Sequence, residues 1–175
     1  MAKNINGFTI VELLVVIVVI AVLASITTVA YSGISQRSRD SARKNDITII
    51  KKALELYYLD NGFYPPGSCS VGCKINGSWS STSDGSWPNL ESALVPRYLS
   101  KLPTDPQASS TTNPAISGGY NYDYVSPGGW CTKPAGQIYM LTYRLENEAQ
   151  KFEVSGNCSG TQPTNYSSSE FTVTK

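Results

Sequence analysis

The sequence contains no histidine, and charged residues make up only 15% of its 175 positions. The first absence removes the commonest general base and metal-ligating side chain. The second, with a formal net charge of +1, leaves no global field to draw the chain onto nucleic acid or an anionic surface, so any such binding must be local. No phosphate-binding loop and no nucleophile elbow occurs, and the acids Asp84, Glu91, Asp105 and Asp123 stand in turn-like or strand-like contexts without a second chemical partner. Neither catalysis nor a bound cofactor or metal is expected. Asp105, between Pro103 and Pro106, reads as an acceptor of backbone hydrogen bonds in a turn.

Ser, Thr, Gly, Asn and Tyr take the place of charge, a mixture suited to turns and short strands. A chain of 175 residues has room for one head plus an extension. The four cysteines, Cys69, Cys73, Cys131 and Cys158, are irregularly spaced and lack paired CxxC knuckles, so disulfides are expected over a zinc site or free thiols. Three pairings are open. Cys69 with Cys73 and Cys131 with Cys158 closes local loops and is preferred.

Met1 to Gly7 is polar, with Lys3 its one charged side chain, and is followed by an apolar run from Phe8 to Tyr31 that only Glu12 interrupts with a charge. Roughly 20 apolar residues suffice to cross a ~30 Å hydrocarbon core as a helix. An ordinary secretory signal has a shorter core and a small-residue cleavage site, and no such site follows Ile26. Hydropathy alone therefore fits an uncleaved anchor tethering an extracytoplasmic binding domain equally well. Glu12 separates the readings. A carboxylate inside an apolar run costs on the order of 2.5–3.5 kcal/mol, and a lone anchor has no use for it.

Gly7-Phe8-Thr9-Ile10-Val11-Glu12 resembles, at every place, the signature of the type IV pilin and type II secretion pseudopilin superfamily. The resemblance implies that a prepilin peptidase cuts between Gly7 and Phe8, that the new Phe8 amine is N-methylated, and that Glu12 meets this amine, commonly that of a neighbouring copy, during assembly. A buried carboxylate and a buried amine are each costly alone and offset one another when paired. A residue without a side chain at Gly7 lets a protease approach the backbone. The implied partners are the chain itself as a helical homopolymer, the prepilin peptidase, an inner-membrane assembly platform, and the lipid bilayer before assembly. Nucleic acid is not expected as a main partner. The implied locations are the cytoplasmic membrane for the precursor, head outside, and the cell-surface pilus after assembly.

Arg37, Arg39, Arg43 and Lys44 follow the apolar run, and the positive-inside rule would place that flank in the cytoplasm. The leader motif and the expected disulfides outweigh it, because large domains translocate largely regardless of charge. This cluster reads as a solvated face that pairs with acids of other subunits. Ile47, Ile50, Leu54 and Tyr57 then recur at helical spacing, while Arg43, Lys44, Asp46, Lys51, Lys52 and Glu55 read as the polar face. One helix is predicted from Phe8 to Asp60, stopped by Asn61-Gly62. At about 1.5 Å per residue it spans roughly 80 Å, too long for one head to bury. Many pilins carry a helix-kinking proline near Ser32-Gly33; none occurs here, and a nearly continuous helix is expected.

Two further stretches resemble the superfamily: Tyr57-Tyr58-Leu59-Asp60-Asn61-Gly62-Phe63-Tyr64-Pro65 at the helix exit, and Tyr98-Leu99 with Leu102-Pro103-Thr104-Asp105-Pro106. Asn89 is expected to cap a short helix, Leu90 to Leu94. Trp79 and Trp87 flank an insertion whose packing on the head is favoured over a carbohydrate platform. Period-two alternation at Tyr120, Tyr122 and Tyr124, with Gln137 to Leu145, Gln150 to Val154 and Glu170 to Thr174, predicts four strands.

The predicted class is α+β: a pilin fold, its long N-terminal helix, half of it membrane-spanning, packed on an antiparallel sheet of about four strands. The predicted divisions are a leader (1–7), a transmembrane and polymerisation helix (8–31), its amphipathic half (32–61) and an extracytoplasmic disulfide-bonded head (62–175). The major pseudopilins of type II secretion commonly carry an acidic calcium loop after the last core strand, whereas Arg144 to Gln150 is poor in aspartate. The favoured expectation is therefore a type IV pilus subunit serving adhesion, twitching motility or DNA uptake, with a type II secretion pseudopilin as the alternative.

Overall fold

Thr9 and Gly62 bracket the first and longest element. In a computed structural model, which describes residues 7–73, 75, 77–108, 119–149, 152–156, 158–160 and 168–173, helix α1 spans Ile10–Asn61. It stops where Gly62 turns to φ +77° and donates its N–H to the Tyr58 carbonyl at 2.8 Å, a left-handed cap that glycine adopts without Cβ strain. The helix thus starts two residues later and ends one later than the periodicity predicts. Gly33 lies within it and has no atom near its missing Cβ. The leader residues 1–6 lie outside the described residues.

The chain divides into two compact units, Met1–Ser38 and Arg39–Lys175. In the first, every described residue from Gly7 to Ile26 is exposed, and the large apolar side chains from Phe8 to Ile26 keep 50–86% of their surface. By length and composition α1 can cross a membrane.

In the second unit, Ile47, Ile50, Ala53 and Leu54 of α1 enter a core with Leu90 and Leu94 of α2 (Trp87–Leu94), Leu102, and the rings of Tyr64, Tyr122, Tyr124 and Tyr139. A five-stranded sheet backs this core: β1 (Trp79–Ser81), β2 (Asp123–Val125), β3 (Ile138–Tyr143), β4 (Phe152–Ser155) and β5 (Ser168–Val173), in spatial order β1-β2-β3-β5-β4. The pairs are antiparallel except β4 with β5, which run parallel. Tyr124, Tyr139 and Leu141 face the helical core, whereas Val125, Ile138 and Met140 join Trp79 and Cys131 in a second cluster. Burial on both faces explains why β3 reads as a continuous apolar run rather than an alternation.

Three expectations are corrected. To the about four strands expected the sheet adds β1, making five, and one edge is parallel rather than antiparallel. The tyrosine alternation forms strand only from Asp123, because Asn121 and Tyr122 instead bond the β1–α2 loop, with Tyr122 N–H donating to Thr82 Oγ1 at 3.0 Å. Helix α2 begins at Trp87, not Leu90; Pro88 fits its first turn, and Asn89, rather than capping, donates its side-chain amide to the Ser68 carbonyl at 2.6 Å. Trp79 and Trp87 are both buried, and Trp87 Nε1 donates to the Pro103 carbonyl at 2.8 Å, so the insertion between them is packed. Gln150 and Thr174 fall outside the described residues. Cys69 is bonded to Cys73, and Cys131 to Cys158.

Candidate functional site

Helix α1 opens with a reciprocal lock. The Thr9 backbone N–H and hydroxyl each donate to Glu12 Oε2 at 2.8 Å, and the Glu12 N–H donates to Thr9 Oγ1 at 3.2 Å. This is a capping box, a Thr followed three residues later by Glu, satisfying donors that the first helical turn leaves open. It corrects one step of the sequence argument: Glu12 has a use within a single chain, and the Thr-x-x-Glu spacing was the signal for it. Gly7 and Phe8 stand just outside the helix and are exposed, Phe8 at 86%, and no described atom lies within 4 Å of the Cβ that Gly7 lacks. Among the described residues nothing covers the Gly7–Phe8 peptide, and the carboxylate is held one turn beyond it.

The basic cluster is placed differently from expectation. Arg43 belongs to the core stripe four residues before Ile47 and is fully buried, not part of the polar face. Its five N–H donors all find acceptors. Nε and Nη2 reach the two Asp105 oxygens at 2.8 and 3.2 Å, Nη1 reaches Asp40 at 2.9 Å and Glu146 at 2.7 Å, and Nη2 also reaches Gln107 Oε1 at 2.9 Å. The guanidinium carbon lies 4.4 Å from the Tyr120 ring centre. Arg39 grips Glu146 with two bonds of 2.7 and 2.6 Å, and Lys44 pairs with Glu148 at 2.5 Å. For Arg39, Arg43 and Lys44 the paired acids come from the same unit.

Asp40 completes the arrangement by accepting the Glu146 and Asn147 backbone N–H groups at 2.9 Å each. Burial opposes the Arg43 charge, but the hydrogen bonds and charges of Asp105, Glu146 and Asp40 outweigh it and hold the guanidinium pKa above its ordinary value. Hydrogen bonding from Arg39, against some cost of burial and with help from Arg43, pulls the Glu146 carboxyl down to about 2. The network ties the start of the second unit's helix to the Asp105 turn and to the loop after β3. Asp105 also accepts the Gln107 N–H at 2.7 Å, as its turn position implied. Among the described residues, no group of three or more acidic, cysteine or histidine side chains is arranged to hold a metal.

A second buried carboxylate, Asp123 on β2, accepts from Ser81 Oγ at 2.5 Å and Thr142 Oγ1 at 3.1 Å. Burial pushes its pKa up to about 7; the two hydroxyls oppose the shift, while the charges of Asp84 and Asp105 add to it.

Comparison with known proteins bears on the N-terminal feature first. The family model described as a prokaryotic N-terminal methylation motif matches residues 2–28. Similar proteins over most of the chain carry the name Type II secretion system core protein G. That of Aeromonas hydrophila is 28% identical over 152 residues, 87% of this chain and 91% of the relative. That of Pseudomonas aeruginosa is 29% identical over 136 residues, 78% and 82%. That of Klebsiella michiganensis is 30% identical over 123 residues, 70% and 75%. No solved structure matches the chain. With the methylation motif at its start, the helix-and-sheet unit behind it, and relatives that align across both, the chain belongs to the type IV pilin and type II secretion pseudopilin superfamily.

Proposed function

We propose that this chain is a structural, non-enzymatic filament subunit of the major-pseudopilin kind, a counterpart of the type II secretion core protein G relatives. The length over which those relatives align favours this reading over the type IV pilus subunit that the sequence alone put first. The observation that carries it is the exposed apolar helix beyond the Gly7–Phe8 junction. Side chains left 50–86% exposed from Phe8 to Ile26 require lipid before assembly and copies of the same helix afterwards. A prepilin peptidase cuts after Gly7, Phe8 becomes an N-methylated terminus, and Glu12 pairs with the Phe8 amine of a neighbouring copy on an inner-membrane platform. The Gly7–Phe8 peptide lies outside the capped turn, where a protease does not have to unwind helix first.

Co-expression with a prepilin peptidase, sequencing of the mature amino terminus and electron microscopy of sheared cells test this together. Termini beginning at Phe8 and short filaments confined to secretion-competent cells are expected. An intact Met1-to-Gly7 leader overturns the reading; abundant long surface pili return it to the type IV pilus.

A further inference from the structure

Within the Arg39–Lys175 unit, α1 has a second apolar stripe. Ile49, Leu56 and Leu59, at helical spacing, point away from the core with 39%, 50% and 77% of their surface exposed, and Phe63 follows just past the helix end at 44%. Beside Leu56 runs a groove lined by Thr48, Lys51, Lys52 and Glu55, where the lysine stems supply apolar wall beneath charged heads. Elsewhere on the same unit, Val71 is 84% exposed at the tip of the ring closed by Cys69 and Cys73. The base of that ring is fixed: Cys69 is buried and donates its N–H to the Gly77 carbonyl at 3.1 Å. Gly67, just before it, lies against the Ser78 carbonyl so closely that any Cβ would clash. An apolar side chain held out by a ring anchored in this way loses little conformational freedom when it binds.

We infer that the Val71 ring of one copy docks into the α1 groove of the next. The partner is a second copy, because the patch is too small to hold a free partner. The exposed parts of Ile49, Leu56, Leu59, Phe63 and Val71 together fall well short of the about 1,200–2,000 Å² that a stable interface buries. Such a contact forms when another attachment has already raised the local concentration of its partner, which is what polymerisation through the exposed helix does; to that extent the inference rests on the filament reading. Groove and ring are different surfaces, so the contact is head-to-tail and, along a helical polymer, repeats without closing. It gives adjacent heads a fixed lateral register that a helix stripe alone does not supply.

The test is in-cell photocrosslinking of the full chain carrying Val71→p-benzoylphenylalanine, expressed with its assembly machinery. The expected product is a dimer whose crosslinked peptide lies within Ile49–Leu59 of the second copy. Its yield should fall about ten-fold with Leu56→Asp, as for loss of one buried leucine-sized contact, and to background with Glu12→Val. Filaments with crosslinks at another peptide, or to another protein, overturn the docking and leave the filament reading intact. A dimer that persists in Glu12→Val overturns the dependence on polymerisation. Absence of both filaments and crosslinks in the otherwise unaltered chain overturns both.

Discussion

Arg43 and Asp105, 62 residues apart, form an ion pair with neither side chain exposed, Nε to Oδ2 at 2.8 Å. Arg43→Leu leaves Asp105, Asp40 and Glu146 clustered without their shared counter-charge, and removing one partner of a buried pair costs about 3–5 kcal/mol. At about 2–4 °C per kcal/mol for a chain of this size, the midpoint of thermal unfolding should fall by about 10 °C, read by circular dichroism of the full chain in detergent. Arg43→Lys should recover only part of the loss, since an ammonium cannot reproduce the fork that grips Asp105. Equal stability of the Leu variant and the parent would show that the network is not holding the unit together.

Asp123 gives the head a definite response to pH. Its folded pKa, raised by burial to about 7 from the ordinary 3.8, means that the folded state keeps a proton which the unfolded chain loses first. Stability from this group is full below about pH 4, declines as pH rises and is lost once pH passes about 7. Asp123→Asn keeps the shape and removes the titration. Its stability relative to the parent should therefore climb from pH 4 to 7 and level off above, in urea unfolding followed across that range. Glu146, lowered to about 2, works in the opposite sense, contributing above pH 4.5 and losing that contribution as pH falls toward 2.

Glu12 has two roles to separate, and glutamine separates them. Glu12→Gln retains a side chain able to close the capping box with Thr9 but cannot pair electrostatically with an amine; Glu12→Val loses both. If the charge drives assembly, both variants insert and fold yet yield few filaments by shearing and electron microscopy. Normal filaments from the glutamine variant would reduce Glu12 to a helix cap. A Cβ added at Gly7 meets nothing within 4 Å among the described residues, so the block to processing expected of Gly7→Leu, seen as loss of Phe8 termini, reports on the peptidase.

The two disulfides should contribute unequally. Cys131 and Cys158 close a loop with a sequence separation of 27, Cys69 and Cys73 one of 4. Loop-closure entropy assigns about 3.5 kcal/mol to the first and about 2 kcal/mol to the second. Paired serine substitutions at each bridge, compared by urea unfolding, should show the longer loop costing more.

Helix α1 was legible because one signal, apolar spacing with a glycine stop, runs through all of it. Strand β1 was not: Trp79, Ser80 and Ser81 are all buried, but two serines read as loop until their partners on β2 and the Ser68 and Ser86 contacts are known. The Arg43 network was misread for a similar reason. Its arginines cluster in sequence while two of its three acids, Asp105 and Glu146, lie 62 and 103 residues away. Position still held a clue, since Arg43 continues the stripe of Ile47, Ile50 and Leu54 and so had to be buried with partners. The parallel pairing of β4 with β5 was not legible because no local pattern in the sequence between them announces on which side of β4 the last strand will lie.

That return has a consequence for how the head is made. Strand β5 lies between β3 and β4 although it is the last strand in chain order, so neither neighbour is fully paired until residues 168–173 have emerged. Synthesis runs from the N-terminus, so α1 is made long before the sheet can close. The first-unit helix is therefore present while the sheet is still open, and closure of the head reports that the strand at residues 168–173 has been made.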